Sequence, residues 1–112
     1  MDVQPLGLEE RRSRIAAARE ALVGLADVLY EATGPELGEL ISAVDGVAAQ
    51  AAAARVTITV EAVRRGQVAE EGVNAHAWVR DHAPSLRQGG AGDVARVATA
   101  VVPAGAQFRP EG

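Results

Sequence analysis

The stretch "EATGPELGEL" (residues 31–40) contains the clearest boundary between structural elements in this chain. Thr33 and Glu36 have the spacing of a capping box, in which each side chain accepts a hydrogen bond from the backbone N–H of the other residue. Pro35 falls in the first helical turn, where its missing N–H costs nothing. Gly34 suits a reversal of the chain. The stretch therefore predicts that one helix ends here and another begins.

Apolar residues recur at spacings of three and four on both sides of this boundary. They predict a first helix over about 8–32 and a second over about 35–65, which ends before Gly66. Because a short loop between long helices makes them antiparallel neighbours, we expect a helical hairpin over 8–65. Its heptad-like apolar face is the expected seam of a homodimer, and comprises Ile15, Leu22, Leu25, Leu29, Ile41 and Val44.

Within the second helix, β-branched residues fill positions 56–60 and alternate between apolar and polar side chains. This pattern is typical of a strand. The chain has no second alternating run that would pair with such a strand, and Ile58 continues the helical spacing of apolar residues. We predict helix, with strand as the alternative for 56–60.

A third helix is predicted over 74–83, after a polar connector. Asn74 can cap its N-terminus, and Pro84 ends it. The only tryptophan of the chain, Trp78, lies in this helix. We expect it to wedge between the long hairpin and the last helix as a structural anchor.

The last predicted helix covers 93–102, with Asp93 as its cap and Pro103 as its stop. The glycine-rich loop before it gives the third and fourth helices a helix–turn–helix-like order. We predict one all-α domain over 1–102, made of a long antiparallel hairpin and two shorter helices, with a flexible tail over 103–112.

The composition favours the same fold class. Of the 112 residues 48% are apolar, but many of these are alanine and only 3% of the chain is aromatic, which favours closely packed helices over a barrel or sandwich. The start "MDVQPLGLEERRSR" lacks the pattern of a signal peptide, and no apolar run reaches the ~18 residues of a membrane span. We expect a cytoplasmic protein that does not enter a membrane.

The two histidines do not suggest a metal site. His76 and His82 lie six residues apart, which separates them by roughly 240° around a helix. A helical zinc pair needs a spacing of four, as in H-E-x-x-H. The chain has no cysteine, and its serines lack the setting of a nucleophile. We predict no metal, no cofactor and no catalytic residue.

The helix–turn–helix order makes DNA a candidate partner. The polar residues on and beside the last two helices that could contact bases or phosphates are Arg80, Arg87, Gln88, Arg96 and Thr99. The net charge of −4 counts against a dedicated nucleic-acid module. All eleven basic residues are arginine, which together with the alanine excess we interpret as the coding bias of a GC-rich genome.

Residues 35–102 resemble the domain of unknown function that precedes the HNH endonuclease domain in many actinobacterial proteins, including the mycobacterial repeat family. The matching elements are Arg64–Arg65–Gly66 at the end of a long helix, Ala77–Trp78–Val79–Arg80, and Ala95–Arg96–Val97–Ala98. The resemblance implies a helical fold and an association with DNA cleavage or mobile elements. The catalytic HNH motif lies downstream in such proteins, and "HAWVRDH" does not match it.

Three hypotheses for the function follow. The first is a non-catalytic helical module for DNA association or for docking a protein partner in an HNH-nuclease context. The second is a helical interaction or oligomerisation protein without a DNA role, in which dimerisation completes a core poor in aromatic residues. The third is a regulatory helical domain that binds a small ligand in a pocket lined by Tyr30, Trp78 and His82.

Overall fold

The structure, a computed structural model, describes residues 5–86 and 89–102. Every regular element in these two ranges is helical, which confirms the all-α prediction. The elements in chain order are α1 (Leu8–Val23), a 3₁₀ helix (Leu25–Glu31), α2 (Gly34–Arg64), α3 (Gln67–Glu70), α4 (Ala75–His82), a second 3₁₀ helix (Pro84–Leu86) and α5 (Ala91–Val101). Among the described residues no helix is both long and apolar enough to span a membrane.

The chain divides into two compact units, with the division between Ser42 and Ala43. Helix α2 runs through this division without a break in its secondary structure. The antiparallel hairpin over 8–65 and the single domain over 1–102 therefore stay predictions. The tail over 103–112 lies outside the described residues.

The boundary before α2 has the predicted capping box. The backbone N–H of Thr33 donates to Glu36 Oε1 at 2.8 Å, and the backbone N–H of Glu36 donates to Thr33 Oγ1 at 3.3 Å. Two N–H groups that the helix cannot satisfy internally thus find partners. The start of α2 is determined locally by these two side chains.

The prediction of one continuous first helix was wrong. Helix α1 ends at Val23, Gly24 leaves the helical region at φ −89° and ψ 0°, and the chain continues as a 3₁₀ helix. Glycine costs about 1 kcal/mol relative to alanine inside a helix. No residue of α1 is buried, so tertiary packing does not offset this cost and the helix breaks at Gly24.

The β-branched run over 56–60 is helical, as predicted. Its two threonines bond back to the preceding turn: Thr57 Oγ1 donates to the Ala53 carbonyl at 3.1 Å, and Thr59 Oγ1 donates to the Arg55 carbonyl at 2.7 Å. These bonds satisfy both hydroxyl groups inside the helix. Thr59 is buried in spite of its polarity.

Helix α2 ends at Arg64, and Gly66 follows it in the left-handed region with φ 77°. The Gly66 N–H donates to the Val63 carbonyl at 3.0 Å. This is the predicted glycine stop. The short helix α3 lies in the predicted connector and was missed, since a single turn gives too short a pattern to recognise. Its Val68 is buried.

Helix α4 begins at the predicted cap, where Asn74 Oδ1 accepts a hydrogen bond from the Ala77 N–H at 2.8 Å. Helix α5 begins at Ala91, so the prediction of Asp93 as its cap was wrong. Gly90 is the residue before the helix, with φ 93°. A glycine that leaves the helical region just before Ala91 allows the helix to start two residues early, and Asp93 then lies in the first turn.

The core of the second unit lies between the end of α2, α3, α4 and α5. A cluster of Ala62, Val63, Val68 and Val102 is surrounded by the partly buried side chains of Val60, Val73, Ala75 and Trp78. Helices α4 and α5 pack against each other. The alanines of α5 that face inward, Ala91, Ala95 and Ala98, are buried. Small side chains allow the two helices to approach closely, which compensates for the scarcity of large residues.

Candidate docking surface

The first unit buries none of its described side chains. From residue 5 to residue 42 every position is exposed or half-buried, and among the described residues the first buried one is Thr59. Large apolar side chains are nevertheless frequent in this unit. Those that are exposed are Leu6, Leu8, Ile15, Leu22, Val23, Val28, Leu29, Tyr30, Leu37 and Ile41. Because soluble monomers rarely expose large contiguous apolar patches, this unit is the candidate site of interaction.

Part of this surface forms an open groove of about 410 Å³ between the first 3₁₀ helix and the start of α2. The apolar side chains of the groove are Leu25, Val28, Leu29, Ala32 and Leu40. Its polar side chains are Glu31, Glu36 and Glu39. The groove is thus apolar with three carboxylates and contains no basic group among its lining residues.

Charge is distributed unevenly around the groove. Between Arg19 and Arg55 the sequence contains no lysine, arginine or histidine. The same segment contains six acidic residues: Glu20, Asp27, Glu31, Glu36, Glu39 and Asp45. The net charge counted over longer stretches of the sequence hides this asymmetry, because the arginines at 11–19 and at 55–65 offset the acidic residues between them. A count over a shorter window would have revealed the acidic surface from the sequence.

Helix α1 presents an apolar line with arginines beside it. Leu8, Ile15 and Leu22 are spaced by seven residues, so they share one face to within about 20° per step. Their side chains are 75%, 69% and 42% exposed. Arg12 and Arg19 each lie three or four residues from members of this line and flank it on one side, and Arg11 has the same spacing and flanks it on the other. Two of the three acidic residues of α1 pair with arginines of the same helix: Glu9 with Arg12 at 3.8 Å and Glu10 with Arg14 at 3.0 Å.

The structure places the six residues of the expected dimer seam on three elements. Ile15 and Leu22 lie on α1, Leu25 and Leu29 line the groove, and Ile41 and Val44 lie on α2. Ile41 is 70% exposed and Val44 is half-buried. Leu25 and Leu29 are the pair that the structure brings together in one site.

The residues expected to contact DNA lie in the second unit. Arg80 is exposed on α4, and Arg96 and Thr99 lie on α5. The guanidinium of Arg96 donates to Asp93 Oδ1 at 2.7 Å, and Thr99 Oγ1 donates to the Ala95 carbonyl at 2.8 Å. Arg87 and Gln88 lie outside the described residues.

The second unit has a smaller groove of about 150 Å³ between α2 and α4, lined by Arg55, Ile58, Thr59, Trp78, Val79, His82 and Ala83. The rings of Trp78 and His82 lie 4.8 Å apart. Tyr30, the third residue of the expected ligand pocket, is exposed on the 3₁₀ helix of the first unit. The volume falls below the roughly 300–1,000 Å³ of pockets for small molecules.

A polar cluster at the edge of this groove was missed at the level of sequence. Gln67 Nε2 donates to Glu71 Oε2 at 2.8 Å, and His82 Nε2 lies 3.5 Å from Glu71 Oε1. The Trp78 indole N–H is near the same carboxylate but makes no hydrogen bond of standard geometry with any described residue. The hydrogen bond from Gln67, with smaller contributions from Trp78 and His82, lowers the pKa of Glu71. The cluster joins the end of α3 to α4.

Within the described ranges no three His, Cys, Asp or Glu side chains lie close enough to hold a metal ion. No family model matches the chain, and comparisons with curated proteins and with solved structures found no match. The resemblance to the domain that precedes HNH endonucleases therefore stays a prediction.

Proposed function

We propose that this chain is a non-catalytic helical module that associates with copies of itself through its first unit. One observation carries the proposal: residues 5–42 expose ten large apolar side chains and bury none. The second unit, in contrast, has a core of its own. The first unit is thus the part of the chain that gains most from a partner.

The energetics of short helices support this assignment. Most of the stability of protein helices comes from packing an apolar face against other elements and not from helix propensity. Helix α1 has 16 residues and no buried side chain. Full burial of an exposed leucine or isoleucine contributes about 1.5–3 kcal/mol, and the partly exposed residues of the first unit gain a corresponding fraction of this when a partner covers them. Association therefore stabilises helices that lack intramolecular packing.

DNA association and an HNH-nuclease context remain predictions that follow from the sequence. We rank them below self-association because Asp93 places a carboxylate beside the Arg96 guanidinium, which weakens its attraction for phosphate. The net charge of −4 acts in the same direction. We also rank a ligand-binding role below self-association, because the groove beside Trp78 has a volume of about 150 Å³ and is smaller than ordinary small-molecule pockets.

Sedimentation velocity from about 1 μM to about 500 μM tests the proposal, since association depends on concentration. We expect a dimer to form within this range, and Leu29→Glu to prevent it. Val97→Glu is the matched control, because Leu29 and Val97 are 38% and 45% exposed and lie in different units. The control should associate like the wild type. A wild-type chain that stays monomeric throughout, or two variants that behave alike, would contradict the proposal.

A further inference from the structure

We infer that the groove of the first unit binds helix α1 of a second copy, so that two chains exchange α1 helices symmetrically. This inference rests on the proposed self-association and names the two surfaces that meet. Its basis is a match in polarity and charge: the groove is apolar with three glutamates, and α1 presents an apolar line flanked by arginines.

The apolar parts of the two surfaces correspond. Val28 and Leu29 in the groove are 47% and 38% exposed, and Ile15 on α1 is 69% exposed. A helix held in an apolar groove by a few anchors spaced by three, four or seven residues is a recurrent mode of recognition. The line through Leu8, Ile15 and Leu22 has the spacing of seven.

The charged parts correspond as well. Glu31 and Glu39 line the groove, and Arg12 and Arg19 lie beside the apolar line. Arg12 contacts Glu9 of its own helix at 3.8 Å, and both side chains are exposed, so this surface pair is weak and Arg12 can exchange it for a groove carboxylate. Arginine forms planar, bidentate pairs with carboxylates, and such pairs select orientation and register. A partner with acidic residues beside its apolar line would be repelled from the same groove.

The occupant is a second copy and not α1 of the same chain. A single residue, Gly24, connects α1 to the 3₁₀ helix that forms one wall of the groove. Helical hairpins need loops of about two to five residues, so α1 is too closely tied to that wall to fold back over it. Because each chain carries both a groove and an α1 line, the inferred contact is reciprocal, with each α1 in the groove of the other chain, which gives a two-fold symmetric dimer; a contact made in one direction only would give an open chain of copies instead.

Reciprocal charge reversal tests the inference. One variant carries Arg12→Glu and Arg19→Glu, and the other carries Glu31→Arg and Glu39→Arg. Glu36 is left unchanged because it caps α2. Each variant alone should dimerise at least about tenfold more weakly than the wild type at ~50 mM salt. An equimolar mixture should regain wild-type affinity, since both contacts of the mixed dimer are again complementary.

The matched control exchanges a charge pair on another face of α1. Glu10→Arg with Arg14→Glu keeps the ion pair that these residues make at 3.0 Å, and both positions lie roughly 80° or more around the helix from the apolar line. This control should dimerise like the wild type. If the equimolar mixture regains dimerisation, the two charge-reversed variants must also be folded.

The outcomes separate this inference from the proposed function. If the wild type dimerises and both reversed variants do so equally well, the groove is not the site, while self-association stands. If each variant loses dimerisation and the mixture does not regain it, the pairing of these two surfaces is wrong. A monomeric wild type overturns both.

Discussion

The carboxylate of Glu71 lies 3.5 Å from Nε2 of His82 and thereby joins the residue after α3 to the last turn of α4. Glu71 accepts a second hydrogen bond from Gln67 at 2.8 Å. These contacts stabilise the ionised carboxylate in the folded chain, because its pKa is lowered, first by Gln67 and then by Trp78 and His82.

Glu71→Gln should lower the thermal stability near neutral pH by a small amount. A carboxyl group with a lowered pKa in the folded state stabilises that state above its unfolded pKa, here about 4.5. The contribution is lost as the pH falls through the lower folded value. Melting temperatures measured from about pH 7 to about pH 3 should therefore converge for the wild type and the variant at the acidic end. Glu70→Gln is the control, and a difference that persists in acid would contradict the assignment.

Gly66→Ala should destabilise the second unit by roughly 1–2 kcal/mol, because a side chain is strained at φ 77°. Gly46→Ala is the matched change inside α2, where an added Cβ meets no atom within 4 Å. That variant should gain roughly 0.5–1 kcal/mol from the better helix propensity of alanine. Urea unfolding followed by circular dichroism measures both. Changes of the same sign would show that the Gly66 backbone is misassigned.

Ala98→Leu should cost roughly 1–3 kcal/mol of unfolding free energy, because Ala98 is 0% exposed and a larger side chain overpacks α5. Ala100→Leu in the same helix is exposed and should change stability by less than roughly 0.5 kcal/mol. Chemical denaturation of the two variants gives the comparison. Equal effects would mean that α5 does not pack as described.

If the chain binds DNA as the resemblance implies, Arg80→Ala combined with Arg96→Ala should weaken binding to random duplex DNA. The plot of log K against the logarithm of the salt concentration should become less steep by about one for each phosphate contact that is lost. Fluorescence anisotropy at several salt concentrations measures the affinity and the slope. The absence of binding by the wild type at ~50 mM salt, where phosphate contacts are strongest, would remove DNA association.

Local rules predicted much of the fold. The capping box of Thr33 and Glu36, the Asn74 cap and the Gly66 stop each depend on a few neighbouring residues, so the sequence alone was sufficient to locate them. The break at Gly24 and the early start of α5 were mispredicted. Whether the helix continues through Gly24 depends on whether tertiary packing offsets the low helix propensity of glycine. Only the structure shows that α1 buries no side chain and therefore lacks this packing.

The candidate site could be predicted only in part. The apolar residues of the dimer seam were identified by their spacing, but a spacing does not show which of them remain exposed. The placement of Glu31 and Glu39 in the groove was missed. From the sequence they are ordinary acidic residues on helix surfaces, and only the packing of the 3₁₀ helix beside α2 puts them in one groove.

The sequence by itself determined the fold class and most helix ends, because alanine content, periodicity and capping side chains act over a few residues. The tertiary structure decided where the core lies, around Val63, Val68 and Val102, and that the first unit has none. Burial depends on which helical faces pack against each other. An alanine-rich helix has the same apolar periodicity whether another helix covers it or solvent does. The acidic segment could be read from the sequence, but the groove and the exposure of its apolar side chains could be recognised only from the three-dimensional arrangement.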